Sequence, residues 1–275
     1  MTAILMKHEA IRTRGFLLVI LGAAVALGAV GSLMAITGWP VLAVFGTVLG
    51  FIGAFGLVPA MLLASAVDYW RTSYGRVGYF TQTLPVRGSR IFWTKFAWAS
   101  LMLLVGLVLT VVLWLLVMVA SAQSLFATTP TMLLGQVGDV LAAAYQAAPL
   151  LVAVGAPVIS IVMYGFNLVM LFAAASIGSE RRLQRLGWGG PVLVWFVLYA
   201  IVQVVMFVAV LAIPFGLGVD ASGEFGVVPV DMLTAMLQNT SANVMPVGFL
   251  PAMALAIPLL LWRTVHSWNR RVSLA

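Results

Sequence analysis

The chain has 275 residues, of which 63% are hydrophobic and only 8% charged. A soluble domain carries roughly a quarter charged residues, so water cannot be the solvent for most of this surface and lipid must be. The fourteen Lys and Arg outnumber the seven Asp and Glu, but their placement points to membrane topology rather than to nucleic acid. The lack of cysteine excludes disulfides, thiolate metal sites and cysteine nucleophiles.

In chain order, residues 1–15 come first. Met1, Ile4, Leu5, His8 and Ile11 share one helical face, and Lys7 and Arg14 share another. This spacing predicts an amphipathic helix lying in the membrane interface; a frayed terminus is the competing reading. Long apolar runs follow at 16–38, 41–67, 96–122, 149–178, 191–218 and 247–262. Most exceed the ~20 residues a helix needs to cross a ~30 Å hydrocarbon layer. The predicted fold is all-α: a polytopic membrane protein with a six-helix transmembrane domain over 16–275, preceded by the interfacial helix. The first run is longer than a signal-peptide core, so cleavage is not expected. Pro59, Pro157, Pro214, Pro251 and Pro258 fall within runs and are expected to bend them.

The charges fix an orientation. Lys7, Arg12 and Arg14 precede the first run, and Arg71, Arg76, Arg87, Arg90 and Lys95 separate the second from the third. Arg181, Arg182 and Arg185 separate the fourth from the fifth, and Arg263, Arg270 and Arg271 follow the sixth. Glu9, Asp68 and Glu180 share these segments, whereas the outer loops, about 123–148 and 219–246, hold Asp139, Asp220, Glu224 and Asp231 with no basic residue. Six spans put the two sets on opposite faces. The positive-inside rule then predicts a multi-pass protein of the cell membrane with both termini in the cytoplasm. The basic residues also suit anionic lipid headgroups.

Chemistry is sparse. No G-x-x-x-x-G-K-[ST] phosphate loop is present, and the only lysines are Lys7 and Lys95. His8 and His266 are too far apart in sequence to suggest a metal cluster. No ionisable residue lies mid-span, which disfavours an ion-driven carrier. Tyr164 and Asn167 in the fourth span and Gln203 in the fifth are candidates for lining a pathway; interhelical hydrogen bonding is the plainer role. The Asn239-Thr240-Ser241 sequon has meaning only in a secretory host. No catalytic residue, metal ligand or bound cofactor is predicted, and the chain is not expected to be an enzyme.

The informative segment is 68–95, DYWRTSYGRVGYFTQTLPVRGSRIFWTK. It interleaves aromatic and basic residues, as a lipid-anchoring loop or a partner-docking helix would. Pro85 is expected to stop any helix running from Tyr69, and Ser89 to cap the next one.

An acidic residue leaves the second span, then come a glycine-containing stretch, T-L-P-V, basic residues and a lysine entering the third span. The residues are Asp68, Gly75, Gly78, Thr83-Leu84-Pro85-Val86, Arg90, Ile91 and Lys95. This order resembles the permease subunits of ABC-2 type ABC transporters. Residues 74–85 look like a subgroup found with bacterial export or peptide-antibiotic resistance systems. The resemblance implies that residues 1–14 are a connecting, or elbow, helix and that about 69–84 form a coupling helix. That helix would dock on a separate ATPase through Tyr69, Trp70, Tyr74, Gly75, Arg76, Gly78, Tyr79, Phe80, Leu84 and Pro85. It further implies an exporter with two ATPase copies holding ATP and Mg, a second permease copy or a related permease, and surrounding membrane lipids, with no nucleic acid. A stand-alone carrier or channel, or a lipid-modifying membrane enzyme, is the alternative.

Overall fold

The computed structural model describes residues 2–75, 78, 86–181, 183–219, 225–238 and 244–270. Within these, the protein is all-α apart from one small sheet. Six helices are long and apolar enough to cross a membrane, and the protein is a multi-pass membrane protein. The chain divides into two compact units, residues 1–71 with 83–142, and residues 72–82 with 143–275.

The first unit is built on α1 (Thr2–Ile36), α2 (Pro40–Ser73) and α3 (Gly88–Ala120). At 1.5 Å per residue each is about 50 Å long, well beyond the ~30 Å apolar layer. α1 runs unbroken through residues 2–15, so the amphipathic stretch is its first four turns and a separate elbow helix is not seen. The reason is local: no proline falls in the stretch, Thr13 turns its hydroxyl back to the Glu9 carbonyl instead of capping a new start, and a lone Gly15 costs only about 1 kcal/mol. Pro40 opens α2 after a short link in which Gly38 takes φ +75°. Glycine ends helices this way because it has no Cβ to clash in the left-handed region, and proline suits the first helical turn.

α1 and α2 approach through small residues. A Cβ on Gly31 would lie 2.4 Å from the Gly50 nitrogen, and one on Gly46 2.6 Å from the Gly31 carbonyl oxygen. Backbone can meet backbone only where side chains are missing. The core then fills with Leu17 and Ala24 from α1, Ala54, Leu57 and Met61 from α2, and Leu113 from α3. Thr110 on α3 donates to the Ala54 carbonyl at 3.2 Å, so its hydroxyl is satisfied inside this apolar packing. Pro59 is accommodated inside α2.

The segment read as an outer loop at 123–148 is largely helical. A short α4 (Ala122–Phe126) precedes α5 (Pro130–Ala147). Thr129 accepts from the Met132 amide at 3.3 Å and Pro130 opens α5, a standard start signal. Leu133 of α5 is buried, while Leu134, Val140, Leu141 and Tyr145 are exposed.

The second unit holds α6 (Ala156–Gly178), entered through a π-helical turn at Leu151–Gly155, then α7 (Gly189–Ala212) and α9 (Phe249–Arg270). α6 is the most buried, through Phe166, Leu168, Val169, Met170 and Phe172, whereas α7 leaves Phe196, Val204 and Phe207 exposed. That exposed apolar surface suits a helix facing lipid. Gly178 and Gly190 let α6 and α7 cross closely: a Cβ on Gly190 would sit 2.2 Å from the Gly178 carbonyl oxygen. Pro157 lies within the continuous helical span Leu151–Gly178, just past its π-helical turn, and Pro258 lies inside α9. Two prolines differ from expectation: Pro214 follows the end of α7 and Pro251 sits in the first turn of α9, so neither bends a helix interior.

Between α7 and α9 lies the sheet, with strand order β2-β1-β3. β1 (Phe215–Val219) pairs antiparallel with β2 (Phe225–Pro229), Phe215 opposite Pro229 and Val219 opposite Phe225. β3 (Met245–Pro246) lies on the other edge of β1, beyond a short helix, α8 (Met232–Leu237).

Candidate functional site

The two ends of the 68–95 segment, the last turns of α2 and the first turns of α3, lie at the charged end of the first unit. The last turns of α2 carry Asp68 and Tyr69, the first turns of α3 carry Phe92 and Lys95, and the first turns of α1 carry Glu9 and Arg12. Glu9 accepts from the Lys95 ammonium at 2.9 Å and from the Arg12 guanidinium. Arg12 reaches both carboxylate oxygens of Asp68, one of them at 2.8 Å. Two carboxylates and two cations therefore form one chain, Lys95–Glu9–Arg12–Asp68, across three helices. Lys95 is 5% exposed and Glu9 16%, so the desolvated end of the chain is the one joining α1 to α3. Removing one member of such a set leaves an uncompensated charge in a poorly hydrated place.

The chain of charges has an aromatic floor. Tyr69 is 1% exposed and meets Phe92 edge-on, with ring centroids 6.2 Å apart. Phe92 stacks on Phe96 at 5.8 Å. One helical turn further in, the Trp98 indole N–H donates to the Thr13 hydroxyl at 2.8 Å, and that hydroxyl donates back to the Glu9 carbonyl.

Comparison with known protein families, curated proteins and solved structures finds no match.

The candidate docking residues separate on the structure. Tyr69 is buried inside the first unit, so it anchors the end of α2 rather than facing outward; sequence pattern cannot tell an anchoring tyrosine from a presented one. Trp70 is half-buried. In the second unit, the Tyr74 hydroxyl donates to Ser176 at 2.9 Å, and its ring lies 5.6 Å from that of Trp268. Gly78 donates to the Gly75 carbonyl at 2.8 Å and is buried against Ser73. Arg76, Tyr79, Phe80, Leu84 and Pro85 lie outside the described residues, as do Arg182, Asp220, Glu224, Arg271 and the 239–241 sequon. Ser89 does not cap α3: the helix begins at Gly88, Arg87 holds the cap position, and no side chain bonds there.

The mild polar residues of the spans do not converge. The Asn167 amide donates to the Met163 carbonyl of its own helix at 2.9 Å, and the Gln203 amide donates to Tyr199 at 3.3 Å. Both are exposed, as is Tyr164, and among the described residues no hydrogen bond links the three. A second ion pair ties the ends of α6 and α9: Arg263 donates to Glu180 at 2.6 Å, and Ser267 does so at 3.0 Å. Among the described residues, no group of three or more His, Asp or Glu could hold a metal ion.

Sequence reasoning singled out Asp68 and Lys95 but not their partners. The available signal was the Glu9-x-x-Arg12 spacing, which puts opposite charges on one helical face at the mouth of an apolar run.

Proposed function

We propose that this chain is the permease subunit of an ABC-2 type transporter, forming half of an export pathway powered by a separate ATPase. The observation that carries the reading is the pair of stems of the 68–95 segment, both locked to α1 through Asp68–Arg12 and Lys95–Glu9. A force applied to that segment is transmitted to three transmembrane helices at once. A loop whose only task is to rest on lipid gains nothing from such bracing.

Three further features support it. The absence of a phosphate loop from these 275 residues fits a reading in which ATP is hydrolysed by a partner chain. The fourteen basic residues lie in the segments that would face the cytoplasm, where such an ATPase resides. Tyr164, Asn167 and Gln203 are exposed on the second unit and free to meet a second permease copy or a cargo. In this reading residues 1–15 act as the elbow by extending α1 out of the hydrocarbon layer, the 68–95 segment follows ATP-driven closure of two ATPase subunits, and the pathway alternates its exposure.

The test is co-purification. In mild detergent the wild-type chain should elute with an ATPase subunit carrying a phosphate loop. Tyr79→Ala with Phe80→Ala should lose that subunit and ATP-dependent transport while still inserting, since aromatic anchors dominate such interfaces at about 2 kcal/mol or more each. Normal pull-down together with normal transport in the double variant would overturn the coupling role. Absence of any ATPase from the wild-type preparation would favour a stand-alone carrier.

A further inference from the structure

Beside the charge chain, α1 and α3 leave an open groove of about 340 Å³. Its walls are Leu17, Leu18 and Leu21 of α1 and Trp98 and Met102 of α3, with Arg14 as its one charged residue. From the groove and its surroundings we infer a binding site for a single glycerophospholipid, with one acyl chain along the leucines and the phosphodiester on Arg14. This goes beyond the transport reading and does not depend on it.

Three observations converge. The first is depth. Arg14 to Leu21 spans about 10 Å of helix, and Lys95 and Glu9 mark the polar boundary one turn outside Arg14. The groove therefore descends from headgroup level into one leaflet of a ~30 Å layer.

The second is charge. Arg12 is ion-paired to Glu9 and Asp68, and Lys95 to Glu9, whereas Arg14 is exposed and has no ion pair among the described residues. A guanidinium at this level calls for an anion, and a phosphodiester accepts two parallel N–H bonds from it.

The third is what the rest of the chain can offer. Three carboxylates share segments with the basic residues: Glu9, Asp68 and Glu180. Each is already held, by Arg12 and Lys95, by Arg12, and by Arg263. A second copy of this chain packed into the groove would bring apolar side chains but no spare carboxylate from this face for Arg14. A soluble anion would satisfy Arg14 without using the leucines. A phospholipid uses both, its phosphodiester meeting Arg14 while an acyl chain lies along Leu18, which is 65% exposed. The Trp98 ring is held against the groove because its N–H is committed to Thr13. Its indole thus offers an apolar wall at the depth where tryptophan is enriched.

The full-length protein is reconstituted into phosphatidylcholine vesicles containing phosphatidylglycerol with a photoreactive group in one acyl chain. After irradiation, adducts are mapped by mass spectrometry. They should fall on residues 10–21 and 98–102. Arg14→Gln should lower their yield about tenfold, the loss of roughly one charge-assisted contact, and Arg14→Lys should restore part of it. Leu18→Trp should fill the groove and reduce the yield in protein that remains monodisperse. Arg90→Gln, on α3 but off the groove, should match wild type, and excess inorganic phosphate should displace nothing. Adducts elsewhere, wild-type yield in Arg14→Gln, displacement by phosphate, or a chain-to-chain cross-link in place of lipid adducts would each overturn the site. No ATPase enters the experiment, so its failure leaves the transport reading untouched.

Discussion

Glu9 is the residue whose loss should cost the first unit most. Its carboxylate is 16% exposed and holds two cations, Lys95 at 2.9 Å and Arg12. Glu9→Gln leaves the Lys95 ammonium, 5% exposed, without that carboxylate. Breaking one side of a buried pair costs about 3–5 kcal/mol. Arg12 is 37% exposed and keeps Asp68, so its share is at most about 1 kcal/mol. The expected total is about 3–6 kcal/mol, or a fall of about 6–24 °C in the apparent unfolding midpoint. Lys95→Met alone should cost less, because Glu9 then still has Arg12. The double variant Glu9→Gln/Lys95→Met should lie within about 1 kcal/mol of wild type, since apolar replacement of a buried pair is often neutral. The assay is tryptophan fluorescence during heating in detergent, run as a double-mutant cycle. Additive single effects, with no recovery in the double variant, would refute the claim that Glu9 and Lys95 act as a pair.

Other outcomes are equally definite. Gly31→Val drives its Cβ into Gly50 and Gly46 backbone and should abolish monodisperse protein, whereas Gly22→Ala, with nothing within 4 Å, should be tolerated; equal yields would disprove the α1/α2 seam. Asp231 accepts from the Thr234 hydroxyl at 2.6 Å and from its amide at 3.0 Å, and these bonds hold its carboxyl below the ordinary carboxylate value. A lowered value means that its support for the start of α8 is complete above the ordinary pKa of ~4 and is lost as pH falls through the lowered one. Hydrogen exchange at the Thr234 amide should accelerate only in that acid range, and an acceleration on raising the pH beyond the intrinsic exchange rate would reverse the sign and refute it. Single cysteines in place of Asp139 and Arg87 test orientation: an impermeant thiol reagent added to intact cells should label the first and spare the second, and labelling at Arg87 would break the six-span, ends-inside arrangement.

The six long helices were legible because an apolar run of span length has few other fates. Their ends were less so. α1 and α2 extend past their apolar runs because nothing in residues 2–15 or 68–73 stops a helix. α5 was readable in principle, since Leu133, Val137, Val140, Leu141 and Ala144 recur with helical period behind Thr129-Pro130, but length and position suggested a loop. The sheet was hidden because Phe-Gly-Leu-Gly-Val is short and half glycine or nearly so, and strand propensity is weak without its partners. At the candidate site, Asp68 and Lys95 stood out by position. Their joining through Glu9 and Arg12 did not, because packing alone brings together residues 56 and 86 apart in the chain.

Those separations matter for a chain made from its N-terminus. At roughly 5–20 residues per second, Lys95 is synthesised some 4–17 seconds after Glu9. Through that interval the first helix must sit at the membrane with a carboxylate it cannot yet hand to its final partner. Arg12, three residues on, already neutralises Glu9 within α1. In the folded protein this i,i+3 pair is kept while Arg12 also meets Asp68 and Glu9 also meets Lys95, so each later partner joins a charge that its own helix already balances in part. An early helix that carried Glu9 without Arg12 would hold an unbalanced carboxylate at the edge of the lipid until Lys95 had been made.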